Sequence, residues 1–349
     1  MVKRKMEFKK RIFRPLGEAD FNAAALDIFR FQYEGNEIYR RYADALGVIP
    51  EETDHYSRIP FLPVSFFRTH AVVTGDSVPE KIFLSSGTTG IPSAISGKDP
   101  AVEGAWTPLQ RSRHTITDLS VYDESLVKGF EGFYGSLAAY TVFALTPDPG
   151  QNPHSSLIYM INSWIRESAS EDSGFYLDRQ ETLAKLLAEQ GSHGKQPLLI
   201  GLTYALIDFA ERFSPALPGA VIMETGGMKG KRKEMVREEL HAFLSEKFRC
   251  RDIHSEYGMT ELLSQAYARS GGHFQAPPWM RVLVRDPNDP LSLLPDGKTG
   301  GINVIDLANF NSCSFLALQD LGRMNRDGTF EVLGRFDFSD LRGCNLMVD

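Results

Sequence analysis

The chain has 349 residues, 42% of them hydrophobic and 24% charged, with a formal net charge of −7. That length can bury a sizeable core in one large domain or in two to three subdomains, and an acidic balance with scattered Lys and Arg argues against a nucleic-acid surface. No run of about 18 or more apolar residues suggests a membrane span, and the basic start MVKRKMEFKKRIF lacks the apolar stretch of a secretion signal.

In chain order, the first quarter is expected to be helical. Asp20 is placed to cap a helix carrying Phe21, Ala24, Ala25, Ile28 and Phe31, and Gly47 sits where helices stop. The proline-broken IPFLPVSFF (59–67) predicts extended chain, and KIFLSS (81–86) a short strand. SLAAYTVFAL (136–145) and SSLIYMI (155–161) are apolar runs separated by the loop TPDPGQNP. A helix is expected near 179–190, capped by Asp178, with Gly191 just past its end. PLLIG (197–201) predicts a buried strand, followed by a helix carrying Leu202, Ala205, Leu206 and Phe209. GAVIMETGG (219–227) predicts a strand and then a glycine turn, and Val236, Leu240, Phe243, Leu244 and Phe248 mark one face of the next helix.

Apolar strands alternating with amphipathic helices imply an α/β fold of parallel sheets flanked by helices. The last 70 or so residues differ: RVLVRDP, GGINVIDL, SCSFLALQD and TFEVLGRF predict strands joined by PDGKTGG and NRDG turns. They suggest a smaller, mostly antiparallel β-subdomain, with residues 1–275 forming the α/β part and 276–349 the β-rich part. Cys250, Cys313 and Cys344 are few and far apart, so no disulfide framework or structural zinc site is expected, and a reducing cytoplasm fits best.

Three segments carry chemistry. The first, Ser85-Ser86-Gly87-Thr88-Thr89-Gly90, follows a predicted strand. Its glycines allow close backbone approach to an anion, and its amides and hydroxyls are donors to phosphate oxygens. It is not a Walker loop, because GxxxxGK[ST] is absent. The second, Tyr257-Gly258-Met259-Thr260-Glu261, has a helix-start pattern, with a hydroxyl for phosphate and a carboxylate suited to a hard cation such as Mg²⁺. In the third, Asp320-Leu321-Gly322-Arg323 precedes Gly334-Arg335-Phe336-Asp337, a carboxylate and an arginine that suit a ribose or a phosphate but also suit ordinary β-turns. Of the histidines, His254 lies just before the Tyr257 motif, within reach of the site, and His114 and His154 are expected in polar loops; each is read as a bystander rather than a catalyst.

In this order, with roughly 170 residues between the first two segments, the series resembles the adenylate-forming superfamily of acyl-CoA synthetases, peptide-synthetase adenylation domains and luciferase. The resemblance runs from about residue 80 to 340. It implies that Ser85, Ser86, Gly87, Thr88, Thr89 and Gly90 embrace the ATP phosphates. It also implies that Tyr257 lies near adenine, that Thr260 contacts phosphate and that Glu261 binds Mg²⁺. Asp320 would hold the ribose beside Arg335, and the Gly226-Gly227 turn would border adenine and the acyl pocket.

Some features depart from the common pattern. Pro92-Ser93-Ala94 stands where many members have Pro-Lys-Gly, and the superfamily's mobile C-terminal lysine domain is absent from this sequence, which ends at Asp349. Within the superfamily the chain is most similar to the acyl-protein synthetase of the bacterial bioluminescence fatty-acid reductase complex. The shared segments are PFLPVSFF, SSLIYM, the turn from Gly226 to Lys229, and the end LRGCNLMV. That resemblance implies ATP-dependent activation of a carboxylic, fatty acid to acyl-AMP, then transfer to a thiol at Cys344, with a reductase or other acyl-accepting protein downstream. A thiolate attacks a mixed anhydride readily, and Arg342 is a nearby cation that would raise the thiolate fraction. A CoA ligase and a catalytically degenerate nucleotide-binding protein are the alternatives.

Overall fold

The computed structural model describes residues 2–86, 111–189, 194–226 and 235–336. Its centre is a six-stranded sheet in the order β5-β4-β6-β7-β8-β9. These strands are β4 (Tyr140–Leu145), β5 (Gly174–Phe175), β6 (Gln196–Leu202), β7 (Val221–Thr225), β8 (His254–Tyr257) and β9 (Ala266–Ala268). All pair in parallel except β9, which is antiparallel to β8.

Both faces of this sheet are buried, and period-2 alternation separates them. Val142, Ala144, Leu198, Ile200, Val221 and Met223 belong to one core cluster. Their neighbours Phe143, Leu145, Leu199 and Ile222 belong to a second. The first face packs against α5 (Leu119–Tyr134) and α6 (Ser156–Ser168). The second packs against α7 (Gln180–Glu189), α8 (Thr203–Phe213) and α9 (Arg237–Phe248).

A second sheet holds β10 (Met280–Arg285), β11 (Thr299–Asp306), β12 (Phe315–Met324) and β13 (Phe330–Arg335) as an antiparallel series, as the C-terminal turn signals imply. β12 is long enough to take two partners on one edge. Its later half pairs with β13, and its start pairs in parallel with β1 (Leu62–Pro63) from the N-terminal region. The first core cluster likewise runs from Phe8 to Phe330. A small antiparallel pair, β2 (Lys81–Leu84) and β3 (Arg113–Ile116), lies beside the main sheet.

The N-terminal basic stretch is a helix, α1 (Val2–Ile12), in line with a helical first quarter. Several other local expectations are corrected. The helix expected from Asp20 to Gly47 is two helices, α2 (Glu18–Gly35) and α3 (Glu37–Ala45), because Asn36 breaks the run and its side chain caps the Tyr39 amide at 3.0 Å. Asp20 lies inside the first turn of α2, and Gly17 is the residue before it. In 59–67 only Leu62–Pro63 is strand, and α4 (Phe66–Thr69) follows because Phe67 is drawn into the core. SSLIYMI is the start of α6, capped by Ser155 on the Ile158 amide. The sequence reading passed over α5, although its buried positions Val121, Tyr122, Ser125, Leu126, Gly129 and Phe130 have helical spacing.

Candidate active site

Parallel strands expose their carboxyl ends on one edge, and there the chain departs into loops that can hold a ligand. The ends of β7 and β8 present Thr225-Gly226 and Tyr257-Gly258 side by side. With β2, β12 and β13 they line a cavity of about 900 Å³. Ser85, Ser86, Gly226, Tyr257, Thr260, Asp320 and Arg335 all line it, so residues far apart in sequence are brought together. Gly226 has φ +73, a conformation that favours glycine at this turn. Gly87, Thr88, Thr89, Gly90, Gly227 and Cys344 lie outside the described residues.

Asp320 and Arg335 face each other across the β12–β13 ladder. The Tyr257 hydroxyl donates to Asp320 Oδ2 at 2.7 Å, and Arg335 Nε lies 3.4 Å from Asp320 Oδ1. The Tyr257 ring rests against Phe274 and Phe330. Burial, and then the Asp320 charge, hold the Tyr257 phenol well above its usual pKa, so it stays a donor. Asp320 and Arg335 are thus strand residues, not turn residues, and the ladder register fixes their spacing.

The Thr260-Glu261 pair is not at a helix start. β8 ends at Tyr257 and the chain turns directly toward β9. The buried Asp306 carboxylate takes the Leu263 and Ser264 amides at 2.8 and 3.0 Å, and its Oδ1 takes the Ser264 hydroxyl at 2.6 Å. The turn is pinned from beneath as well. Asn309 Nδ2 donates to the Glu261 carbonyl at 2.8 Å, and His114 Nδ1 donates to the Thr260 carbonyl at 2.7 Å. His114 is therefore a fully buried strand residue and not part of a polar loop, and burial lowers its pKa to about 4.

Glu261 is 6% exposed and is absent from the cavity wall that Thr260 lines. Burial raises its pKa, while a hydrogen bond with the Ser112 side chain and the charges of Arg335 and Arg68 oppose that rise. Ser112 is also the partner of the phosphate-segment stem: Ser85 N donates to the Ser112 carbonyl and Ser112 N to Ser85 Oγ, both at 3.0 Å. One residue therefore bridges Glu261 and Ser85. Among the described residues no group of three or more His, Cys, Asp or Glu could hold a metal by itself. A single buried carboxylate with hydroxyls beside it fits Mg²⁺, which usually keeps several waters and arrives with substrate phosphates on one or two carboxylates.

His254, read as a bystander although close in sequence to the motif, does not line the site cavity. It bonds the Tyr134 hydroxyl at 3.2 Å and borders a separate, smaller cavity beside Arg251 and Arg269. Cys313 is fully buried and Cys250 is half-buried against the second core cluster, which suits packing roles. The sequence reading missed Arg111, Glu224, Arg237, Glu256 and Gln265, all of which line the cavity. Glu224 could have been found, because it stands two positions before Gly226 at the end of a predicted strand.

The architecture matches that of known proteins. Residues 17–113 match a family model described as "Acyl-protein synthetase, LuxE". Over 339 residues the chain is 24% identical to the long-chain-fatty-acid–luciferin-component ligase of Vibrio harveyi, covering 92% of this chain and 85% of that one. Among solved structures, an open conformation of 2-hydroxyisobutyryl-CoA ligase with 2-HIB-AMP and CoA superposes with a TM-score of 0.66, at 12% identity, covering 92% of this chain and 70% of that one. ATP-bound MatB from Rhodopseudomonas palustris gives 0.53 at 16% identity, covering 73% and 47% respectively. The chain resembles the acyl-protein synthetases and has the fold of the adenylate-forming enzymes.

The chain spans about half the length of the MatB structure. In this adenylate-forming fold the hydroxyls of Ser85 and Thr260 and the Tyr257–Asp320–Arg335 group stand around one cavity. No helix among the described residues is long and apolar enough to cross a membrane.

Proposed function

We propose that the chain activates a carboxylic acid with ATP, releasing pyrophosphate and forming an acyl adenylate, and then passes the acyl group to a thiol. It is an AMP-forming acid–thiol ligase. The observation that carries this reading is the single cavity that joins the Tyr257–Asp320–Arg335 group to Thr260 and the Ser85-Ser86 stem. Asp320 has the chemistry to accept from ribose hydroxyls, with Arg335 fixing its second oxygen. The Tyr257 ring offers a face for the base. Ser85, Ser86 and Thr260 offer donors for phosphate oxygens.

In the first step a substrate carboxylate oxygen attacks the α-phosphorus. The bond from that phosphorus to the bridging oxygen breaks, and the electron pair leaves with pyrophosphate. The residues contribute position and charge stabilisation and make no covalent bond to the nucleotide. Mg²⁺ held by Glu261 with the triphosphate would neutralise phosphate charge, and Thr260 would contact a phosphate. In the second step a thiolate attacks the acyl carbonyl carbon and AMP leaves. Cys344 is our candidate for this thiol, and a downstream acyl-accepting or reductase protein is the candidate consumer. The name of the Vibrio harveyi relative, a long-chain-fatty-acid–luciferin-component ligase, supports the activation of a carboxylic acid.

ATP–pyrophosphate exchange over a panel of acids tests the first step. Glu261→Ala should abolish exchange. Asp320→Ala should raise the ATP KM roughly 10- to 100-fold, the usual worth of hydrogen bonds to a charged group. Normal turnover in both variants would end the assignment. Intact mass after incubation with acid and ATP tests the second step: an acylated protein is expected, lost in Cys344→Ser. Thioester on added CoA, with none on the protein, would favour the CoA-ligase reading.

A further inference from the structure

Alternation turns the side chains at the carboxyl ends of β7 and β8 toward two sides of the one cavity, each a compartment of it. Glu224 and Ser255 pair in register and turn toward α8 and α9. There Thr203 Oγ1 donates to Glu224 at 3.1 Å, and His241 Nε2 lies 3.8 Å from Glu224 and 3.4 Å from Ser255. Tyr257 is two residues beyond Ser255, so the nucleotide group of Tyr257 and Asp320 belongs to that side. Thr225 and Glu256 lie on the opposite side, toward α5 and α6. β9 adds Tyr267, directly paired with Glu256, and Gln265 two residues earlier on the same side.

This second compartment is polar at its base. The Thr225 hydroxyl donates to Glu256 Oε2 at 2.5 Å. No second hydrogen bond to that carboxylate is found among the described residues, and the only other charge that acts on it is the like charge of Glu224. Glu256 is nevertheless 9% exposed and Gln265 only 4%. The Gln265 side-chain oxygen is buried without a partner, and so is the Tyr267 hydroxyl just behind it. Glu256 and Gln265 flank Gly258: a Cβ there would meet Glu256 Oε1 at 2.6 Å and Gln265 Cγ at 3.2 Å. Gly258 leads directly to Thr260, so this group adjoins the place assigned to the reacting phosphate.

A buried carboxyl group with a single hydrogen bond, beside a buried acceptor without a donor, is costly in a protein that binds nothing there. Lining such a wall with methylenes would add to that cost. Building on the adenylation reading above, we propose that this compartment selects a small acid bearing an O–H or N–H donor, a hydroxy or amino acid, held by Glu256 and Gln265, in preference to an unbranched fatty acid. Fully buried Tyr267 pairs with Glu256 across the β8–β9 ladder, and fully buried Tyr122 lines the same cavity.

The test is ATP–pyrophosphate exchange by the full-length protein with butyrate, hexanoate, myristate, hydroxybutyrates and aminobutyrates. Wild type, Glu256→Gln and Glu256→Ala are compared, with folding checked by circular dichroism. A site built to bond a donor rejects analogues lacking it strongly, so wild-type kcat/KM should favour a donor-bearing acid over butyrate by roughly 100-fold or more. Glu256→Ala should bring that ratio close to one. Loss of the amino acid alone in Glu256→Gln identifies an ammonium ligand, and retention of the hydroxy acid identifies a hydroxyl ligand; both uphold the proposal. A wild-type preference for myristate or hexanoate overturns it and leaves adenylation standing. A donor preference unchanged in both variants overturns the role of Glu256. If no acid supports exchange in folded wild type, the adenylation reading fails and this inference fails with it.

Discussion

Glu256 titrates where a carboxylate ordinarily does not. Burial, with Glu224 adding to it against the Thr225 hydrogen bond, raises its pKa from 4.5 to about 7. The sign of the linkage follows. The unfolded chain releases this proton near pH 4.5 and the folded protein holds it to about pH 7, so this residue's contribution to stability is full below pH 4.5 and is lost as pH rises through 7. At ~1.4 kcal/mol per pH unit the loss is about 3 kcal/mol by pH 8. Glu256→Gln should therefore gain about that much on wild type between pH 5 and pH 8 in urea denaturation. An equal difference between the two proteins at both pH values would show that Glu256 does not titrate in this range. The residue was hard to find in the sequence. It stands beside Tyr257 in a segment that resembled a helix start, and only the strand geometry of β8 turns it to the other side of the cavity from Tyr257. Tyr257, Thr260 and Asp320 were legible because their order along the chain carries a resemblance. Glu256, Gln265 and Arg237 belong to no such series, and only tertiary structure brings them to one wall.

At the scale of elements, the β12–β13 hairpin sets the distance between Asp320 and Arg335. A register shift falls between Leu321 and Gly322, just past Asp320. Gly322 is required there: a Cβ would meet the Glu331 carbonyl at 2.5 Å and Ile302 Cδ1 at 2.7 Å. Backbone cannot step aside as a flexible side chain can, so Gly322→Ala should push β13 away and cost about 1–3 kcal/mol. The displacement should also part Arg335 from Asp320 and raise the ATP KM roughly tenfold. Gly328→Ala, in the turn of the same hairpin at φ +82 with open space around it, is the control. It should cost about 1–2 kcal/mol through backbone strain and leave KM unchanged. Matching KM values in the two variants would mean that the ladder register does not set the nucleotide group. The hairpin itself was plain in the sequence from TFEVLGRF and the NRDG turn. The bulge was not, because a one-residue shift leaves no mark in a pattern of alternating apolar residues.

Across the whole molecule, the N-terminal helices reach the turn bearing Thr260 and Glu261 through a loop near residue 310. Gln32 of α2 is fully buried, and its Nε2 lies 3.1–3.4 Å from the Asn309, Phe310 and Ser312 carbonyls and the Ser314 hydroxyl. Its Oε1 accepts from the Ser314 amide at 3.0 Å, and Asn36 Nδ2 donates to the Ser312 carbonyl at 3.0 Å. Asn309 at the head of that loop then holds both the Glu261 carbonyl and His114. A continuous set of hydrogen bonds thus runs from α2 to the turn bearing Thr260 and Glu261. Gln32→Ala leaves several buried backbone groups without partners and should cost about 3 kcal/mol. If the loop positions the turn, kcat for adenylation should also fall, by roughly tenfold, at a temperature where the variant is still folded. Leu206→Ala supplies the comparison. It removes a similar amount of stability, about 2–5 kcal/mol, from the second core cluster under α8, away from this path. Its kcat should stay at the wild-type value. Equal kcat losses in both variants would make the N-terminal helices ordinary packing, whereas a loss confined to Gln32→Ala would make them part of what holds Glu261 in place.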